Sequence, residues 1–535
     1  MHRRPNILVI MTDEERYPPS YETDEIRRFR REQLPGQEEL RARGVEFHRH
    51  YVASTACAPS RASLFTGHYP TLHGVRATDG AAKAPHDPDV FWLDPNSVPT
   101  MGHYFRAAGY RTFYRGKWHV SHADLVAPDT RAPIASSDDQ GAALEPNTSL
   151  YRAADRLREY GFGGWIGPDP HGPARSNCGL LRDPLFGDQV ERLFDELERA
   201  DDDAPWLTVV SLVNPHDIVL FGLLWRSWGY AFDDETVPEI PEPPTQRESL
   251  RTKPRCQADF VDKYGAVFLP QPQIPLYRRF YYYLHKLADR EVQRVLRRLK
   301  ASRFFEDTVI VYTSDHGDML GAHGGMHQKW HNAYDESLRV PLIVAGPGVP
   351  AGGRVEHVTS HVDLLPTLIG LAGLDAAALG RALAAGHTEA QPLVGRDLAG
   401  LVRGGTAPEE PIYFMTEDEV SEGLDQTSAI GRSYEAVAEP AKVEAIVARL
   451  DAGDGPRLWK YARAYQRSLI GDPAEASRWP EREACELYDL DADPHETTNL
   501  AHRSHDDRRT RAVEAQMEAL LVETRARKAL HPRLR

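Results

Sequence analysis

Four short apolar runs, rich in β-branched residues, stand out: Asn6–Met11, Trp206–Leu212, Thr308–Ser314 and Val340–Ala345, and the first three stop at polar or charged side chains. The first leads into Thr12-Asp13-Glu14. The second reaches Asn214-Pro215-His216-Asp217, and the third runs into Asp315-His316-Gly317. A continuous apolar run without alternation suits a strand buried on both faces of a parallel sheet. Ligand sites in open α/β sheets lie beyond the C-terminal ends of such strands. Three of these runs deliver polar groups to that position, a recurrence that chance surface placement does not readily produce. Tyr110–Tyr114 reads as another strand. Tyr281–Leu299 reads as a helix with a partly solvated, Arg- and Lys-bearing face. Asp363–Ala372 reads as a helix packed through Leu364, Leu365, Leu368 and Leu371.

Around residues 374–410 the chain turns rich in Gly, Ala and Pro, which predicts a link between two units, 1–400 and 401–535. In the second unit, Pro411–Phe414, Leu458–Tyr461 and Glu486–Leu490 read as strands, and a charged amphipathic helix follows from His505. This predicts a small antiparallel sheet plus helix. Segments 124–150 and 237–245 read as long loops or insertions.

A chain of 535 residues can bury a large core, and 41% hydrophobic with 27% charged residues is ordinary for a soluble enzyme. The net charge of −15 and the lack of a Lys/Arg-rich run argue against a nucleic-acid partner. An acidic protein that binds an anion needs a local positive pocket, so buried Lys, Arg or a metal ion is expected in a cleft. Cys57, Cys178, Cys256 and Cys485 are too scattered for a disulfide framework or a thiolate metal site. The apolar run at Asn6 is too short and too early for a signal peptide, and no stretch suits a membrane span. The expectation is a cytoplasmic protein.

Asp13, Glu14 and Asp315 gather carboxylates at two strand ends, a donor set for a hard divalent cation. Taken singly, each has a simpler use, and Asp13 would suit the cap of a helix beginning near Glu15. Lys117 and His119 alternate onto one face of an extended segment after Tyr110–Tyr114. His216, after a proline, is an ordinary turn residue unless it moves protons, for which its unperturbed pKa near ~6.5 is suited. Asp79 is a weak candidate. His48 and His50 suit packing or the surface, and His323 and His327 are loop residues without an assigned role.

Two strings carry more information: Cys57-Ala58-Pro59-Ser60-Arg61 and Gly116-Lys117-Trp118-His119. Together they resemble the two signatures of the sulfatase family, and weaker matches extend from residue 6 to about residue 500. The resemblance implies an α/β fold of the alkaline-phosphatase type, a mainly parallel sheet between helices with a smaller C-terminal α+β domain. It implies that Cys57 is converted to formylglycine by a formylglycine-generating enzyme. The hydrate is then the nucleophile toward an organic sulfate monoester, aryl or small alkyl.

The resemblance further implies that Asp13, Glu14, Asp315, His316 and the oxygen at position 57 hold a divalent metal, Ca²⁺ first and Mn²⁺ second. It places Arg61 on the hydrate, Lys117 and Lys329 on the sulfate, His216 as general acid and His119 as proton relay. The family commonly has aspartate where this chain has Glu14, whose reach is longer. His316 makes the site slightly softer and is similar to formylglycine-bearing phosphonate monoester hydrolases. Lys329 sits one residue off the usual spacing, which leaves His331 or His327 as substitutes. Phosphonate monoester or phosphodiester hydrolysis is the first alternative, and a non-catalytic anion-binding relative the second. Aromatic residues on rim loops (Phe91, Trp92, Phe221, Trp225) would either stack on a leaving group or serve as core. The charged C-terminal helix would suit a homo-oligomer.

Overall fold

Strand β1 (Asn6–Asp13) is buried throughout and splits its side chains between two helical layers. Ile7, Val9 and Met11 join one core with Ala58, Ala62 and Phe65 of the Cys57–Thr66 helix and Leu365 and Leu368 of the Leu364–Leu371 helix. Leu8 and Ile10 face the other way, onto the Gly179–Arg199 and Pro275–Lys300 helices through Val190, Phe194, Val292 and Leu296. A strand covered on both faces has no polar side to show, which is why its sequence is an unbroken apolar run. The structure, a computed structural model, describes residues 4–533 apart from 173, 201, 222–224, 231, 233, 269, 272–273, 429–430, 454 and 471–483.

The large sheet has seven strands in the order β3-β4-β1-β5-β6-β2-β7. The others are β2 (Gly44–Tyr51), β3 (Arg111–Gly116), β4 (Trp206–Pro215), β5 (Thr308–Ser314), β6 (Leu342–Ala345) and β7 (Gly353–Ser360). All pairings are parallel except those of β6, which runs antiparallel to both β5 and β2. The apolar run at Val340 therefore forms a buried strand of opposite direction to the other three, a distinction that burial alone does not encode.

The second sheet is wholly antiparallel, in the order β11-β10-β9-β8. It comprises β8 (Ile412–Thr416), β9 (Lys442–Asp451), β10 (Pro456–Tyr465) and β11 (Cys485–Asp489). The Arg508–Lys528 helix covers one face through Val513, Met517 and Leu521, spaced four apart on one side of the helix. The other face packs Phe414, Val443, Ala445 and Tyr488 against Trp330 and Tyr334 of the first unit. The small sheet thus backs the loop that carries Lys329. Among the described residues no single helix is long and apolar enough to cross a membrane.

Register positions the site. In β1 and β5, Thr12 lies opposite Ser314, so Asp13 and Asp315 emerge side by side. Asp13 also pairs with Pro215 of β4, immediately before His216, and Gly116 of β3 pairs with Ser211 of β4, immediately before Lys117. Gly116 has φ of 105°, and a Cβ there would collide with the Ser211 carbonyl, so only glycine lets β3 leave the sheet at this point.

Candidate active site

Cys57 is the first residue of its helix and is buried at the strand edge just described. Its Sγ lies 3.1 Å from His316 Nε2 and 3.8 Å from Asp13 Oδ1. Burial and the Asp13 carboxylate push the Cys57 thiol well above its ordinary value. Such a thiol stays protonated at neutral pH and is a poor nucleophile in its own right. The loop before it is pinned from outside the large sheet: Thr416 Oγ1 donates to the Thr55 carbonyl at 2.5 Å, and Met415 N to that of Ala53 at 3.1 Å.

Arg61 lies one turn along the helix and is fully buried. Its Nε donates to Asp315 Oδ2 (2.7 Å), Nη2 to Asp13 Oδ2 (3.0 Å), and Nη1 to the Lys117 carbonyl (2.7 Å) and Ser211 Oγ (2.9 Å). Lys117 Nζ lies 2.6 Å from Asp13 Oδ2. Burial opposes the charge on Asp13, but Lys117, His216 and Arg61 outweigh it and hold the carboxyl well below the usual range. Asp13 is therefore an acceptor shared by two cations. It caps no helix, because the chain after β1 is irregular until a helix starts at Asp24.

Four potential ligand atoms converge from Asp13, Cys57, Asp315 and His316, and Glu14 meets Asp13 and His216 in an adjoining group. Two observations fit this set to a divalent cation. His316 Nδ1 lies 2.9 Å from the Gly317 carbonyl, which can only accept, so the lone pair sits on Nε2 and points into the cluster. Both Glu14 carboxylate oxygens are buried without a hydrogen-bond partner, with Lys329 Nζ 3.3 Å from Oε2. Burial pushes the Glu14 carboxyl well up, Lys329 opposing and Asp318 assisting. With Lys329 near Oε2 alone, the two buried oxygens remain without hydrogen bonds, a need that a cation would meet. Carboxylate oxygens and one imidazole suit Ca²⁺ or Mn²⁺ rather than a thiophilic metal.

Cys57 opens into a cavity of about 500 Å³, with Lys329, His216, Asp79 and His171 on its wall. Lys329, rather than His327 or His331, is the cation on this wall. His327 packs between Tyr264 and Tyr277, and His331 lies against the Ala441 carbonyl. Burial and the nearby Lys117 cation hold His216 well below the ordinary imidazole value, with Asp13 opposing. The remaining wall is mostly apolar: Ala81, Val219, Trp228, Val267, Phe268, Trp330 and Val420. Of the rim aromatics expected from sequence, Phe221 and Trp225 are core, stacked at 5.4 Å beside Phe280. Phe91 is exposed, and Trp92 lines a neighbouring cavity. Trp228 and Phe268, from the same stretch of chain as Phe221 and Trp225, supply the lining instead.

His119 lines that neighbouring cavity of about 270 Å³, and its Nε2 meets Asp79 Oδ1 at 2.7 Å. Asp79 is thus a closer partner of the predicted machinery than its sequence context suggested.

The Sulfatase family model matches residues 5–374. This chain belongs to the sulfatase family. A choline-sulfatase of Rhizobium meliloti (strain 1021) is 28% identical to this sulfatase over 527 residues, covering 93% of the chain and 82% of the relative. Among solved structures, a phosphonate monoester hydrolase from Silicibacter pomeroyi superposes with a TM-score of 0.62 at 21% identity, covering 98% of this chain and 96% of that one. A protein solved in complex with its substrate D-glucosamine-2-N,6-O-disulfate has a TM-score of 0.61 at 17% identity, with 98% of both chains covered. At those identities the two structures establish the shared fold of this sulfatase, the mainly parallel sheet between helices with a separate small antiparallel sheet.

Proposed function

We propose that this sulfatase hydrolyses a small alkyl or aryl sulfate monoester, with Cys57 acting after conversion to formylglycine by a dedicated generating enzyme. The observation that carries the reading is the placement of Cys57 at the base of the cavity, among Asp13, Asp315 and His316 and facing Lys329. Asp13, Glu14, Asp315 and His316 would hold a divalent cation, Ca²⁺ or Mn²⁺, which supplies Lewis-acid polarisation of the sulfate oxygens. The hydrate at position 57 supplies the attacking hydroxyl.

The chain's own residues do the rest. Lys117 and Lys329 bind the sulfate oxygens and counter the charge that builds on them in the transition state. Arg61, fixed by Asp13 and Asp315, holds the helix that presents position 57. His216 donates a proton to the leaving oxygen, and the arriving sulfate monoanion favours its charged form against the two lysines. His119 would accept, at its free Nδ1, the proton of the second hydroxyl at position 57, so that the bond to sulfate breaks, sulfate leaves and the aldehyde is restored. The apolar wall excludes water and accommodates an apolar or aromatic leaving group. No arginine is among the described residues lining it, so a polysulfated sugar would find no cation for its second anionic group.

Mass spectrometry of the peptide spanning Cys57, after expression with a formylglycine-generating enzyme, tests the nucleophile. An aldehyde or its hydrate is expected, and an unmodified thiol removes the mechanism in favour of an inactive anion-binding relative. The fold shared with a phosphonate monoester hydrolase motivates one alternative. Comparing kcat/KM for aryl sulfate and aryl phosphonate esters decides it, with the sulfate expected to be the better substrate.

A further inference from the structure

Asp79, His119 and His171 come from three separate segments and meet between the two cavities. Asp79 Oδ1 receives His119 Nε2 at 2.7 Å, and His171 Nε2 lies 3.4 Å from Oδ2. The two imidazole rings are 4.4 Å apart. Burial by itself would raise the Asp79 carboxyl, but His171 and His119 hold it below the usual range, so it is ionised.

An ionised carboxylate can only accept. His119 Nε2 therefore carries the hydrogen, and the lone pair is left on Nδ1, which is buried without a hydrogen-bond partner. The His119 backbone is fixed as firmly as its ring. The residue has φ of 51°, in the left-handed region that non-glycine residues seldom enter. The two carboxylate oxygens of Asp169 accept the backbone N–H of Trp118 (2.7 Å) and of His119 (2.9 Å) and hold this conformation. The Trp92 ring, with its centroid 5.8 Å away, lies against the imidazole. Backbone, ring direction and tautomer are each determined by a different neighbour, more constraint than a packing histidine needs.

We propose that Asp79 is the positioning residue for His119: it fixes the tautomer with a free Nδ1 and stabilises the imidazolium formed when Nδ1 takes a proton during turnover. His171 occupies the second carboxylate oxygen and keeps Asp79 turned toward His119. A carboxylate behind a catalytic imidazole acts by the same physical logic wherever it occurs. The inference rests on His119 being the proton acceptor. The charged and titratable groups around that imidazole are Asp79, His171 and Asp169, Lys117 two residues before it, and His122 and Asp124 across the smaller cavity.

The test uses the matured, metal-loaded enzyme and 4-nitrophenyl sulfate. Asp79→Asn keeps an acceptor for the Nε2 hydrogen but removes the charge. Expected are a kcat about 10- to 100-fold lower, a KM within about threefold, and an acidic limb of the kcat profile shifted to lower pH. Asp79→Ala, which removes the acceptor as well, should fall further. His171→Asn leaves the carboxylate in place and frees one oxygen, so the limb should move to higher pH, which keeps the test available if Asp79→Asn does not fold. His119→Ala separates the two levels of the argument. If it turns over normally, the assignment of His119 fails. If it is inactive while Asp79→Asn keeps the wild-type kcat and an unmoved limb, the positioning role alone fails. A second equivalent of bound metal that Asp79→Asn abolishes would also overturn the proposal, by making the three residues a ligand set.

Discussion

Arg61 Nε and Asp315 Oδ2 meet at 2.7 Å across 254 residues of sequence, in the fully buried centre of the molecule. This contact ties the helix that presents Cys57 to the end of β5, and Arg61 Nη2 extends the tie to Asp13 at the end of β1. Three elements that fold from distant parts of the chain are thereby registered on one guanidinium.

Arg61→Met should therefore be costly beyond lost packing, because it removes the guanidinium from buried Asp315 and leaves Asp13 with Lys117 alone. Breaking a buried pair in this way costs about 3–5 kcal/mol. Urea denaturation of the variant and wild type measures it, and added Ca²⁺ should recover part of the loss. A change under about 1 kcal/mol would mean the carboxylates are neutralised by another route.

Removal of divalent metal should abolish turnover and lower the melting temperature, since Glu14 and Asp13 then lose a counter-charge. A ligand at 100 times its Kd stabilises the folded state by about 2.7 kcal/mol. Thermal unfolding after chelation, followed by titration of Ca²⁺ and Mn²⁺, reads both effects. Glu14→Gln should weaken the metal-dependent rise, and an unaltered rise in that variant would exclude Glu14 from the ligand set.

Phe268 stacks on Trp330 with ring centroids 5.2 Å apart and shares the cavity wall with Trp228. Phe268→Ala should raise KM for an aryl sulfate about tenfold while kcat stays within about threefold. That is the pattern for a contact made equally in ground and transition states. A purely structural Phe268 would instead lower the melting temperature with KM unmoved.

His323 supplies a pH dependence away from the chemistry. Burial disfavours its charge, but Glu336 and Glu248 prevail and raise it to about 9. Its Nδ1 lies 2.7 Å from Glu248 Oε1, and its ring stacks on Tyr334 at 3.6 Å. The folded value lies above the unfolded one of about 6.5. The stabilisation is thus complete below about pH 6.5 and is lost as pH rises through about 9, on the order of 3 kcal/mol in all. The stability gap between wild type and His323→Gln, from urea midpoints, should be largest near pH 6 and close by about pH 10. A gap that does not vary with pH would assign the loss to packing.

The elements that could be read from the sequence are those whose burial is uniform. β1, β4 and β5 are covered on both faces, so their apolar runs end where their site residues begin, and Asp13, His216 and Asp315 follow directly. β2 was not visible, because Glu46, His48 and Arg49 interrupt its pattern where the strand is only half covered. The direction of β6 was not visible either, since burial is the same for both orientations. Lys117, Arg61 and Cys57 were legible through their strings, whereas Asp79 lies in an irregular segment 40 residues before the imidazole it meets. Only the folded chain brings that pair together, and no local period marks it.

The hydrogen bond from Thr416 to the Thr55 carbonyl spans 361 residues. The loop before Cys57 cannot reach its final shape until the first strand of the small sheet has been synthesised, when most of the chain has already left the ribosome. For most of that time the segment before Cys57 lacks the two bonds from Met415 and Thr416 that hold it in the finished fold. The C-terminal sheet is in this sense a late clamp as well as a wall, and the conversion proposed for Cys57 would have to precede its closing.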